Sequence, residues 1–164
     1  MTARGTVTAV GFSGHQNLPL EGVAQITQEI AAYLGAVARP LVGLSSLAAG
    51  ADQLFARTVL AAGGGLVAIV PCRDYLTTFS TPSDLASYHE LLGLAERTRE
   101  LDFPAPTEEA FFAAGRAVAE EADQLLAVWD GLPARGLGGT ADVVAYADSL
   151  GKPVTVIWPA GLRR

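Results

Sequence analysis

Three short runs of glycine and hydroxyl residues stand in this sequence where apolar segments end. The first is Gly11-Phe12-Ser13-Gly14-His15; the second runs from Ser45-Ser46 to Gly50-Ala51-Asp52. The third is Trp129-Asp130-Gly131, followed closely by Gly138-Gly139-Thr140. Glycine lets backbone approach a bound group, and the unpaired amides of a helix start point at anions. The chemistry such runs suit is the holding of a phosphate or ribose phosphate. Candidate ligand contacts are Gly11, Ser13, Gly14 and His15 in the first run, and Ser46, Gly50 and Asp52 in the second. Asp130, Gly131, Gly138, Gly139 and Thr140 complete the set.

Each residue also has a plainer reading. The first run is only Gly-x-x-Gly, not the six-residue dinucleotide fingerprint, and no acidic residue closes the second apolar segment. A tight strand-to-helix turn explains it equally well. Asp52 is placed to meet ribose hydroxyls or simply to complement a helix dipole. His15 is a phosphate donor, an acid or a solvated side chain. In the polar stretch from Cys72 to Pro82, Arg73, Asp74 and Tyr75 either cover a ligand or form a solvated loop. Cys72 follows an apolar run and reads as a small core neighbour, His89 as a surface or interface residue, and Trp129 as packing beneath the site. The two histidines and one cysteine lie far apart, so no metal-ligand spacing is present. No catalytic acid, base or nucleophile and no cofactor is assigned from these residues.

Positioning the three runs requires strands that all end on one side. Thr6–Phe12 is apolar, β-branched and uncharged, which predicts a buried, central first strand. Residues Val23, Ile26, Ile30, Leu34 and Val37 lay one stripe on a helix opened near Pro19 and ended by Pro40. Leu41–Leu44 predicts a second strand and Leu66–Val70 a third, separated by a helix whose inner face carries Leu54, Phe55, Thr58, Val59 and Ala62 and which stops at Gly63-Gly64-Gly65. Thr81 or Ser83 caps the helix bearing Leu85, Tyr88, Leu91 and Leu92, and Thr98–Phe103 reads as an edge strand. A helix capped at Thr107, a strand over Gln124–Trp129, a helix opened by Gly138-Gly139-Thr140 and a strand over Val154–Trp158 complete the alternation. Strand alternating with helix predicts a Rossmann-like, three-layer αβα sandwich with a mostly parallel sheet, because parallel neighbours need helical crossovers. Ligands then bind outside the carboxyl ends of the strands, where strand order reverses.

Composition narrows the function classes. Half of the 164 residues are hydrophobic, enough for one domain over residues 1–164 to bury a core. The formal net charge of −6 offers no basic footprint, so nucleic acid is not expected as a partner. A single cysteine and the lack of a leader pattern predict a cytoplasmic protein, and no apolar stretch has the length of a membrane span. Alanine-rich helices leave a homodimer open.

The strand-end runs, together with Ala122–Gly131 leading into Gly138-Gly139-Thr140, resemble the SLOG superfamily, Rossmann-like domains related to the cytokinin-activating LOG phosphoribohydrolases, the molybdenum cofactor carrier protein and DNA-processing protein A. The resemblance covers nearly the whole chain. It implies a phosphate cradle at Gly138, Gly139 and Thr140, with the Ser13-Gly14 and Ser46–Gly50 turns lining the same crevice and Asp130 facing the ligand. LOG enzymes carry a glutamate three residues after the motif threonine and an Arg-Lys pair upstream. Here Val143 stands at the first place, and Arg116 is followed by Ala117. Asp142 is about 100° away around the helix from that glutamate position. The expected function is therefore binding or sensing of a nucleotide or nucleotide-derived small molecule. A phosphoribohydrolase or other nucleotide-processing enzyme, and a protein interaction module with a vestigial cleft, are the alternatives.

Overall fold

The computed structural model describes residues 6–134 and 136–164. The described chain alternates strand and helix as β1 (Thr8–Gly14), α1 (Val23–Gly35), β2 (Leu41–Ser45), α2 (Ala51–Ala61), β3 (Gly65–Val70) and α3 (Pro82–Leu94). It continues as β4 (Arg97–Glu100), α4 (Glu108–Glu121), β5 (Gln124–Val128), α5 (Thr140–Ser149) and β6 (Val154–Ile157). The strands form one sheet in the order β4-β3-β2-β1-β5-β6, and every neighbouring pair is parallel. The sheet is thus wholly parallel, and β1 is an interior strand between β2 and β5 as its uncharged run predicts.

Alternation of side chains along the strands supplies both helix layers. On β5, Leu125 and Ala127 face α4 and α5, which contribute Ala114, Val118, Val143 and Ala147. Leu126 and Val128 face the opposite way, into Ile26, Ile30 and Leu34 of α1 and Phe55 and Val59 of α2. Near β3, Leu66 and Ala68 pack with Ala56 of α2 and with Tyr88 and Leu91 of α3. The stripe on α2 is rotated from the expected one: Ala51, Phe55, Ala56 and Val59 are buried, while the Thr58 hydroxyl donates to the Leu54 carbonyl at 2.7 Å. Small residues face inward because they let this helix sit close to β1 and β2. Gly14 illustrates the spacing, since a Cβ there would lie 2.6 Å from the Ala51 Cβ.

Helix ends follow local chemistry. Thr81 rather than Ser83 caps α3, its hydroxyl accepting from the Asp84 amide at 3.1 Å with Pro82 in the first turn. Thr107 caps α4 in the same way through the Ala110 amide at 3.1 Å, with Glu108 and Glu109 favouring the positive end of the dipole. Strand β4 is shorter than the expected Thr98–Phe103. Its four residues are all exposed, and three are charged, which protects the sheet edge.

Phe55 is fully buried and stacks on Phe12 with ring centroids 4.5 Å apart. Replacing it with alanine removes this contact and leaves a cavity between α2 and the sheet. Phe55→Ala is expected to lower unfolding free energy by about 3–5 kcal/mol, measured by urea denaturation; a loss below about 1 kcal/mol would contradict this assignment of the core.

Candidate functional site

From β1 the chain builds outward through β2, β3 and β4, then returns along α4 to place β5 on the other side of β1. Helices α1 and α2 pack on one face, and α4 and α5 on the other. Between β1 and β5 the helix layers therefore part, leaving the crevice expected at a switch of strand order. A cavity of about 830 Å³ opens there, within the roughly 300–1,000 Å³ of small-molecule sites.

From the first run, Ser13, Gly14 and His15 line the cavity. Gly11 does not. A Cβ at Gly11 would stand 2.9 Å from both Ala122 Cβ and Val118 Cγ1, so its missing side chain seats the end of α4 on the sheet. From the second run, Ser46 and Asp52 line the cavity, whereas Gly50 borders a smaller neighbouring one of about 370 Å³. Gly50 has φ +85°, and a Cβ would lie 2.0 Å from the Gln16 carbonyl oxygen. Only glycine fits where these two loops cross. The Ala51 amide then donates to the His15 carbonyl at 3.1 Å, locking the loops together.

Leu47, between the second strand and this crossing, is buried at φ +57°. A bulky residue in that conformation is strained, and such strain collects at functional loops. Its neighbours impose it: the Leu47 amide donates to the Ser45 hydroxyl at 3.0 Å, and its carbonyl accepts from the Gln53 side-chain amide at 3.3 Å. Asp52 lies just beyond, buried in the first turn of α2, its carboxylate accepting from the Ala48 amide at 3.2 Å. Burial, opposed in part by that amide, raises its pKa from the ordinary 3.8 to about 7. A carboxyl group that keeps its proton near neutrality can donate to an anion.

The third run divides. Gly138, Gly139 and Thr140 line the cavity, while Asp130 and Gly131 do not. The Ser13 hydroxyl donates to the Thr140 hydroxyl at 3.2 Å, which ties the end of β1 to the start of α5. Gly139 is the N-cap of α5, so Thr140 is its first helical residue. Gly138, at φ +90°, donates its amide to the Asp142 carboxylate at 2.9 Å. One of the amides expected to face a phosphate is thus closed by a carboxylate of its own helix.

Asp130 is engaged elsewhere. Its carboxylate lies 3.2 Å from His15 Nε2 and 3.2 Å from Arg164 Nε, and the Arg164 Nη1 lies 2.9 Å from His15 Nδ1. An arginine only donates, so His15 Nδ1 accepts from it, while Nε2 faces both the Asp130 amide, at 3.1 Å, and the Asp130 carboxylate. The three side chains close a ring across the ends of β1 and β5. Burial pushes the Asp130 carboxyl up, but the Leu132 amide, the His15 ring and the Arg164 guanidinium outweigh it and hold the group below its ordinary value.

Several cleft residues are absent from the sequence-derived set. Arg163 and Arg164 reach the cavity from beyond β6, and Phe79 and Phe111 add apolar wall opposite the glycine runs. Arg163-Arg164 is the only adjacent pair of basic residues in the sequence, which was the available signal. In the loop after β3, Tyr75 lines the cavity, but Arg73 turns outward to Asp102 at 3.9 Å. Arg116 is exposed and lies over the Phe112 ring at 5.0 Å, and Val143, at the place of a LOG glutamate, is a buried apolar wall. Cys72 is buried, and that burial pushes its thiol up, away from nucleophilic use.

No family model and no curated protein matches the sequence. Solved structures share its fold. DNA processing protein A from Streptococcus pneumoniae superposes with a TM-score of 0.69 at 19% identity, over 95% of this chain and 52% of that one. The Helicobacter pylori protein of the same name, described for its single-stranded DNA binding mode, gives 0.69 at 18% identity, over 94% and 67%. The molybdenum cofactor carrier protein of Chlamydomonas reinhardtii gives 0.55 at 18% identity, over 92% and 76%. The chain spans about half the length of the first of these proteins. The resemblance to SLOG-type proteins holds in the fold. One expectation is corrected: low basic content does not exclude nucleic acid, because a protein of this fold binds single-stranded DNA. Among the described residues, no helix is long and apolar enough to cross a membrane.

The Asp52 carboxyl sets a pH test. Its folded pKa, about 7, exceeds the ordinary 3.8; below the latter both states hold the proton, and as pH rises toward the former only the unfolded state releases it. Its stabilisation is therefore present in acid and lost as pH climbs to about 7. Relative to Asp52→Asn, wild-type stability is expected to fall by a few kcal/mol between roughly pH 4 and pH 7 and then level off. Parallel chemical-denaturation curves across that range, with no divergence, would refute the assignment.

Proposed function

We propose that the cleft binds a nucleotide or nucleotide-derived small molecule, with a phosphate at the start of α5. The observation that carries this reading is the convergence of three strand ends on one cavity. Ser13-Gly14, Ser46 and Gly139-Thr140 all border it, bringing hydroxyls and helix-start amides to one place. The chemical division of the wall adds support. Tyr75, Phe79 and Phe111 offer aromatic surface for a base or sugar face, and the glycine-hydroxyl side offers donors for phosphate oxygens. With Asp142 on the Gly138 amide, the phosphate falls to the Gly139 and Thr140 amides and the Thr140 hydroxyl. The site supplies recognition groups, and with Val143 at the glutamate position it lacks the LOG carboxylate, so binding or sensing is favoured over phosphoribohydrolysis.

A single-stranded nucleic acid is a second reading, supported by the DNA-binding protein of the same fold. Its terminal or backbone phosphate would meet the same groups. Calorimetric titration with AMP, ADP, ADP-ribose, NAD and an oligothymidylate separates the two. Binding of mononucleotides with weaker binding of the oligomer supports the small-molecule reading, the reverse order supports the strand, and failure of all five to bind folded protein overturns both.

Gly139 offers a clean variant. Its backbone, at φ −71° and ψ 172°, already has N-cap geometry, and aspartate is a favoured N-cap. The added Cβ would meet the Ala134 Cβ at 2.8 Å, so the loop at Ala134 must move to admit it, and the variant's melting is measured beside its binding. Gly139→Asp is expected to keep the fold while placing a negative charge against the phosphate, weakening AMP and ADP at least about ten-fold. Unchanged affinity would remove the start of α5 from the site.

A further inference from the structure

Among the described residues, the side chains of fixed charge type that line the cleft are Asp52, Glu108, Arg163 and Arg164. Both cations thus come from two consecutive residues after the last strand. Their situations differ. Arg164 is bound to Asp130 at 3.2 Å and to His15 Nδ1 at 2.9 Å, and its side chain is 23% exposed. Arg163 is exposed and makes no ion pair among the described residues.

The segment carrying them is anchored on both sides of Arg163. Before it, the Leu162 amide donates to the Pro159 carbonyl at 3.1 Å, and the Trp158 indole donates to the Leu162 carbonyl at 2.9 Å. The Leu162 side chain fills the space at Gly22, where a Cβ would lie 2.4 Å from its Cδ2. After it, Arg164 is held in the ring with His15 and Asp130, and the His15 ring meets Trp158 edge-on at 5.5 Å. A flexible cation would lose much of its attraction to the entropy of ordering. Arg163 has its backbone fixed at the cavity mouth in advance, which is the arrangement of a preorganised anion contact.

We propose that residues 159–164 form the anion-recognition arm of this cleft, in which Arg163 binds a phosphate of the ligand and Arg164 positions it through Asp130 and His15. The inference rests on the nucleotide reading of the cleft and deepens it. The ligand class becomes one with a phosphate extending beyond the start of α5 toward the mouth, such as a nucleoside diphosphate. Asp130, which does not line the cavity, then acts through Arg164 rather than by touching the ligand.

The test compares wild type, Arg163→Ala, Arg163→Lys and Arg164→Ala by calorimetry with adenosine, AMP, ADP and a 5′-phosphorylated tetrathymidylate. Arg163 is exposed, so its variants should melt as wild type does. Arg163→Ala is expected to weaken ADP about ten-fold while leaving adenosine unchanged, with Arg163→Lys intermediate. Arg164→Ala should weaken ADP in the same direction and alter Trp158 fluorescence. The phosphate source is a free nucleotide or a strand end according to which probe Arg163→Ala weakens more. Equal losses for adenosine and ADP, or no loss on ADP while wild type binds it, would overturn this inference and leave the nucleotide reading standing. A wild type that binds none of the probes overturns both.

Discussion

Parallel pairing is the constraint from which the rest of the molecule follows. Each strand of a parallel sheet must be reached by a crossover, so every carboxyl end emerges on the same edge, and the loops leaving those ends are brought together. Here the register of β1 with β5 sets Ser13 beside Ala127 and Gly14 beside Val128. That register carries the β1 turn to within hydrogen-bonding reach of α5 at Thr140 and of Asp130, two residues past β5. Close approach is what this geometry demands, and glycine and alanine supply it. Gly11 admits α4, Gly14 admits α2, and Gly115 admits Val143 of α5, each at distances a side chain would block. The abundance of small residues is thus a packing requirement first, and an opportunity for ligand approach only at the ends.

Much of this was legible in the sequence because it depends on period and on local chemistry. Apolar runs of four to seven residues gave the interior strands, and three-and-four spacing gave α1. Caps such as Thr81 and Thr107 are decided by groups three residues away, so they too can be read locally. What escaped reading depends on distance. Nothing near Asp130 indicates that an arginine 34 positions later in the chain will occupy its carboxylate, or that His15 will meet the same guanidinium across 149 positions. The strain at Leu47 is equally hidden, because it is imposed by Ser45 and Gln53 in a turn whose conformation leucine does not favour. Glycines are ambiguous for the same reason. Gly11 and Gly139 look alike in sequence, yet one makes room for a helix and the other caps one.

Charge shows why whole-chain numbers mislead about partners. A net charge of −6 governs the far field and disfavours a polyanion approaching at low salt. Within a cleft, the field is set by the few groups on its wall. There the carboxyl of Asp52 is held protonated toward neutrality by burial, and two arginines stand at the mouth. An anion entering that space meets a local balance quite different from the average surface.

The start of α5 brings these threads to one point. A helix N-terminus attracts negative charge, and here the carboxylate of Asp142 takes the Gly138 amide. Such a bond satisfies a donor that would otherwise be left bare, and it fixes the loop through φ +90° at Gly138. It also limits the site, because a phosphate arriving here shares the helix end with a carboxylate four residues along. Mutual repulsion of the two anions would weaken binding unless a cation compensates. Within the cleft, that cation can come only from Arg163 or Arg164 among the described lining residues, and Arg164 is already paired with Asp130. On the proposed reading, the glycine motif and the Arg163-Arg164 pair are parts of one electrostatic arrangement: the first supplies direction through amides and a hydroxyl, and the second supplies the charge that the helix start, with its own carboxylate in place, lacks.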